Sequence, residues 1–239
     1  MKITKLKKTM LMLLVLAQFQ SFSQIKNSSD VIKKMKSHYL NEWYSNFTFK
    51  QKTSFYNKDI LQKVETWYEA GIVGKGLVIK IGSKDKGNGY IFKNDSMFVF
   101  RKGALVHKSF RVHDILELGF NIYGQDAQKT IDKLSSSGLD FSFFEETNTH
   151  YKIGNPKIKQ AWIEKKRLLF SKIISTDNRA KNRIEFNKYQ KLGKGWIAPE
   201  VLFFTNDILT LKEEYFDIKS PKELPNNLFN FANFESIKW

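Results

Sequence analysis

Phe47-Thr48-Phe49-Lys50-Gln51-Lys52-Thr53-Ser54-Phe55 begins with aromatic and polar residues in alternation. Successive side chains of an extended chain point to opposite faces, so this stretch predicts a strand with one apolar face. The stretch before it keeps another period. Val31, Met35, Tyr39 and Trp43 recur every four residues, with Ile32 and Leu40 beside them. That spacing predicts a helix over 30–44 with one apolar stripe, and Ser28, Ser29 and Asp30 are its cap candidates. The chain therefore changes from helix to sheet just before Phe47.

Further strand-like runs follow. They cover 63–70, 77–81, 90–93, 97–101 and 104–110, then 142–153, 160–164, 168–175, 183–191, 196–204 and 209–218. Asn94-Asp95-Ser96, Lys102-Gly103 and Thr205-Asn206-Asp207 supply turn residues between them. Two helical pieces interrupt the series, at 113–120 and at 126–137, the second stopping at Gly138. The tail, 221–239, has little period but keeps Leu228, Phe229, Phe231, Phe234 and Trp239, and is expected to pack back onto the body. About ten short strands with tight turns give a mainly β, α+β chain in antiparallel meander order. A sheet that long curls, and the few helices are its natural cover. The expected fold is an incomplete, strongly curved antiparallel β-barrel closed by helices. No linker or internal repeat divides it.

The N-terminus reads as an address. Lys2, Lys5, Lys7 and Lys8 precede an unbroken apolar run from Met10 to Ala17. That run is too short for a bilayer span of roughly 20 residues and has the length of a secretory core. Ser21-Phe22-Ser23 supplies small residues for cleavage after Ser23. A single domain over 24–239 and a periplasmic destination are the expectation. The whole chain has 239 residues and a formal charge of +16. Losing 23 residues with four lysines leaves 216 residues at +12. Export excludes genomic DNA and ribosomes as partners. Only five of the 40 basic residues are arginine, the side chain whose fork suits phosphate and base recognition. No cysteine is present, which excludes a disulfide framework, thiolate metal sites and a lipid-modified N-terminal cysteine.

Catalytic motifs are scarce. The four histidines, His38, His107, His113 and His150, show no metal-binding spacing. The loop from Gly82 to Gly89 lacks the phosphate-loop order and leads into a strand. Glu145-Glu146 and Glu213-Glu214 are neighbours in sequence, so strand geometry sends each pair to opposite faces. No cofactor and no metal are expected. The aromatic excess, 15%, points elsewhere. A curved sheet with few helices encloses more apolar concave surface than they can fill, which makes a cavity suited to acyl chains. The candidate lining residues are Phe47, Phe49, Trp67, Leu77, Ile79, Phe92, Phe98 and Phe100 from the earlier strands. Ile115 and Leu116 come from the middle helix, and Trp162 and Phe186 from later strands.

The order of these elements resembles the periplasmic outer-membrane lipoprotein carrier family, LolA-like with LolB as its receptor relative. The resemblance rests on the helix running into Phe47-Thr48-Phe49-Lys50-Gln51, on Glu65-Thr66-Trp67-Tyr68, and on the hairpin from Gly87 to Phe100. Phe186 to Gln190, Gly195-Trp196-Ile197-Ala198-Pro199 and Glu214-Tyr215-Phe216-Asp217-Ile218 are similar to a longer subgroup of outer-membrane lipoprotein-sorting proteins. The resemblance implies an unclosed barrel with helical lids over an acyl-chain cavity, and no catalysis. It also implies a monomeric carrier between an inner-membrane transporter and an outer-membrane acceptor. The family holds its closed lid with an arginine just before a proline at the end of the second strand. Here that segment reads Ala70-Gly71-Ile72-Val73-Gly74-Lys75-Gly76, with neither. Lipoprotein acyl chains and a free lipid are therefore both cargo classes to test. The alternatives are an envelope binding or scaffold module with a filled core, and a hydrolase using carboxylates that meet across strands.

Overall fold

The computed structural model describes residues 25–85, 87–176 and 180–239; the expected signal segment lies outside them. Helix α1 (Ser28–His38) is capped by Asn27, whose side-chain oxygen accepts from the Asp30 backbone N–H at 2.9 Å. It ends earlier than its apolar period suggests, because Asn41 turns the chain through the left-handed region at φ 61°. Six strands then run as a meander: β1 (Asn46–Asn57), β2 (Ile60–Ile72), β3 (Gly76–Ile81), β4 (Gly89–Lys93), β5 (Ser96–Arg101) and β6 (Ala104–Phe110). Lys58-Asp59 and Asn94-Asp95 both place two consecutive residues at positive φ. That is the tight hairpin geometry whose twist matches the flanking strands.

A helical segment follows: α2 (Asp114–Leu116), a wider π-helical turn (Glu117–Asn121), α3 (Ile122–Gly124) and α4 (Ala127–Ser136). The second meander comprises β7 (Phe144–Glu146), β8 (His150–Ile153), β9 (Lys159–Glu164), β10 (Leu169–Thr176) and β11 (Lys181–Asn187). It continues with β12 (Gln190–Leu192), β13 (Gly195–Ile197), β14 (Glu200–Thr205) and β15 (Ile208–Lys219). Three runs that read as single strands are broken. Thr147 closes a turn on His150 within 142–153. Lys188, at φ 59°, ends β11. Pro199, which lacks an N–H, separates β13 from β14.

Among the described residues, thirteen strands form one sheet in the order β6-β5-β4-β3-β2-β1-β15-β14-β11-β10-β9-β8-β7, and β12-β13 make a separate hairpin. The two meanders are joined at the centre by antiparallel β1 and β15. The edges, β6 and β7, do not pair with each other, so the barrel is incomplete. The helices cover its concave face unequally. Val31, Ile32 and Met35 of α1, with Ile122, Ile131 and Leu134, pack solidly on Ile153, Ala161, Ile163, Phe170 and Ile173. The half built from β1 to β4 faces α2 and the π-helical turn instead. On the convex face the tail covers the same strands: Leu228, Phe234 and Ile237 are buried against Ala70, Val78, Ile91 and Phe100. Lys80 fastens it there, donating from Nζ to the carbonyls of Lys84, Glu235 and Ile237.

Candidate functional site

Unequal cover leaves a cavity of about 430 Å³ between the lid and the sheet, bounded by the first meander and by β11, β14 and β15, within the ordinary range for small-molecule sites. Alternation along each strand builds its walls. Phe47 and Phe49 of β1, Trp67 of β2, Leu77 and Ile79 of β3 and Phe92 of β4 line the sheet side. Ile115, Leu116 and Phe120 line the lid side. Gly71, paired with Phe47 across β1 and β2, lets the Phe47 ring lie over the backbone. A Cβ there would stand 2.2 Å from its Cζ. The Phe47 ring stacks on Phe120 of the lid at 4.4 Å, so sheet and lid touch through aromatic faces.

Eight of the twelve residues expected to line a cavity are brought together here; the other four are elsewhere. Phe98 and Phe100 point to the convex face, where Phe98 packs at a tilt against Phe231 and Phe100 stacks on Phe234 of the tail, each at 4.3 Å. Met97, their neighbour in β5, takes the cavity side. Trp162 lies between the ammonium groups of Lys172 and Lys152, 3.9 and 4.3 Å from its ring centre. Its neighbours Ala161 and Ile163 are the buried apolar residues of β9. Phe186 packs edge-on against Phe170 at 4.8 Å in the filled half of the core.

The lid is tied by polar groups. Glu117 is buried and accepts from Asn121, Gln125 and Lys133. Lys133 also pairs with Asp95 in the β4–β5 turn at 2.8 Å, and Asp114 pairs with Lys159 at 2.7 Å. The segment from Ala70 to Gly76 is tied to the lid as well: the Gly74 N–H donates to Asn121 Oδ1 at 2.7 Å. At one side of the cavity His113 accepts from the Leu116 N–H. Burial, with the Arg111 charge, pushes its pKa down to about 4, so it is neutral.

Two carboxyl groups, Glu69 of β2 and Glu213 of β15, also line the cavity. Burial raises both: Glu213 to about 7, and Glu69 well above its usual range with the Glu213 charge adding to the effect. Tyr215 donates to Glu213 at 2.8 Å, and Gln51 also softens its shift by hydrogen bonding. Glu213 belongs to a sequence-adjacent pair, but its partner in the cavity is Glu69, not Glu214. Nothing in the sequence marks Glu69. Only the β1 register, which sets Phe49 opposite Glu69 and Thr53 opposite Glu213, brings them onto one face.

No family profile and no curated protein sequence matches the chain. Solved structures do. A DUF1329 family protein from Desulfovibrio piger superposes with a TM-score of 0.57 at 13% identity, over 84% of this chain and 95% of that one. A LolA superfamily protein from Nitrosomonas europaea gives 0.55 at 11%, over 86% and 98%. A domain named for outer membrane lipoprotein sorting, from Vibrio parahaemolyticus, gives 0.53 at 13%, over 87% and 97%. The chain thus superposes on these structures over most of its length, and it has a LolA-like fold.

Proposed function

We propose that this protein is a periplasmic carrier that holds the acyl chains of a lipoprotein or a free lipid in its cavity and conveys them toward the outer membrane. The observation that carries this reading is the apolar cavity of about 430 Å³ under a helical lid, on a LolA-like fold. Such a space favours chains without directional partners, each buried methylene contributing about 0.8 kcal/mol. The reading includes export with cleavage after Ser23 and no catalysis. The protein is to be recovered from the periplasm and its extracted lipids identified by mass spectrometry, with N-terminal sequencing on the same sample. A co-purifying lipid and an N-terminus at Gln24 are expected. A folded protein that carries no lipid and binds no fluorescent fatty acid refutes the carrier.

One observation favours a second reading, hydrolysis: the Glu69 and Glu213 carboxyls share the cavity, and acid–base sites carry such raised groups. It requires turnover of an ester or glycoside that Glu213→Gln abolishes. The carrier reading requires none.

A further inference from the structure

The centre of the concave face is rich in acceptors and short of donors. Glu69 is only 5% exposed and borders the cavity. Among the described residues no hydrogen bond or ion pair reaches its carboxyl; its one electrostatic neighbour is another acid, Glu213. Gln51, fully buried between them in register, gives its amide N–H to Thr53 at 2.8 Å. Its carbonyl oxygen has no partner. The Tyr215 hydroxyl is already donated to Glu213. Buried polar atoms are almost always matched, and an unmatched acceptor is matched by a donor. No lysine or arginine of this strongly basic chain pairs with Glu69 or Glu213 among the described residues. Aromatic faces surround the same spot: Tyr215 stacks on Phe49 at 4.2 Å, and Trp67 and Tyr90 line the wall beside them.

We propose that this patch is an ammonium subsite, in which Glu69 and Glu213 receive the protonated primary amine of an amphiphile whose chain lies along Phe47, Leu77 and Ile79. The inference rests on the reading that the cavity takes an apolar chain. A primary ammonium brings three donors and no acceptor, which complements the surplus here. The aromatic faces attract a cation further. An incoming ammonium displaces one proton from the carboxyl pair to solvent, so the buried charge stays balanced.

The test uses the purified mature protein loaded with N-phenyl-1-naphthylamine, displaced in turn by dodecylamine, dodecanol and dodecanoate. Dodecylamine is expected to bind at least about tenfold more tightly than dodecanol, with dodecanoate weakest. Glu69→Gln and Glu213→Gln keep side-chain shape, and each is expected to lower the ratio of amine to dodecanol affinity. Equal binding of amine and alcohol, or a preference retained in both variants, overturns the subsite and leaves the chain-binding reading standing. Failure of all three ligands and of the probe to bind overturns both.

Discussion

Chain length is the perturbation that reads the cavity most directly. Its volume is about 430 Å³, and a water-sized group takes about 30 Å³. Room therefore exists for about 14 groups of methylene size. Each methylene moved from water into that space contributes about 0.8 kcal/mol, which is about fourfold in Kd. Straight-chain alkanols from hexanol to octadecanol, titrated by probe displacement, should show Kd falling about fourfold per carbon and levelling near ~14 carbons. Leu77→Trp gives the same experiment a second axis. Leu77 lines the cavity, and indole carries about six more non-hydrogen atoms than the leucine side chain, so the plateau should move to about 8 carbons. Affinity independent of chain length, or a plateau that stays in place in a folded Leu77→Trp protein, refutes the reasoning.

Three further outcomes follow from particular contacts. Gly71→Ala sets a Cβ 2.2 Å from the Phe47 ring and should cost about 1–3 kcal/mol; urea melts measure it, and Phe47→Leu in the same background should restore most of the loss. Phe234→Ala empties the site where that fully buried ring stacks on Phe100; it should cost about 3–5 kcal/mol and raise dye binding to the convex face, and an unchanged melt would contradict the role given to the tail. Glu213, facing Glu69, Tyr215 and Gln51, titrates at about 7 in the fold against 4.5 ordinarily. Between those values the native state keeps a proton the unfolded chain has released, so stability is highest below the lower value and falls by ~3 kcal/mol as pH rises through the upper. Glu213→Gln should flatten that slope in thermal melts, and an unaltered slope would assign it to other groups.

The change of period at Phe47 was enough to read sheet after helix, and Phe47, Phe49, Leu77 and Ile79 showed their cavity side through simple alternation. Phe98 and Phe100 did not, because the tail makes both faces of β5 apolar and the pattern loses its sense of direction. Trp162 misled for a related reason: an aromatic ring flanked by two lysine ammonium groups finds favourable partners outside the core. The helix over 113–120 was visible, but not the π-helical turn within it or the lid's tie to Gly74, which depend on Asn121 reaching a distant backbone. Glu69 was silent because a lone acid in a strand looks like any solvated one. Its burial is decided by the register of β1 against two neighbours far apart in sequence.

That central seam has a consequence for the order of folding. Every other neighbour pair of the main sheet except β11 and β14 joins consecutive strands, whereas β1 meets β15 with Thr48 opposite Lys219. Closing so long a loop is entropically unfavourable until much else has formed. The two meanders can each zip locally, and the seam that unites Phe49, Glu69 and Glu213 then closes late. Pulse-labelled hydrogen exchange during refolding should protect the β4–β5 hairpin before the β1–β15 ladder. The carboxyl pair would then be assembled only when the two halves of the sheet have met, so its completion marks the end of folding.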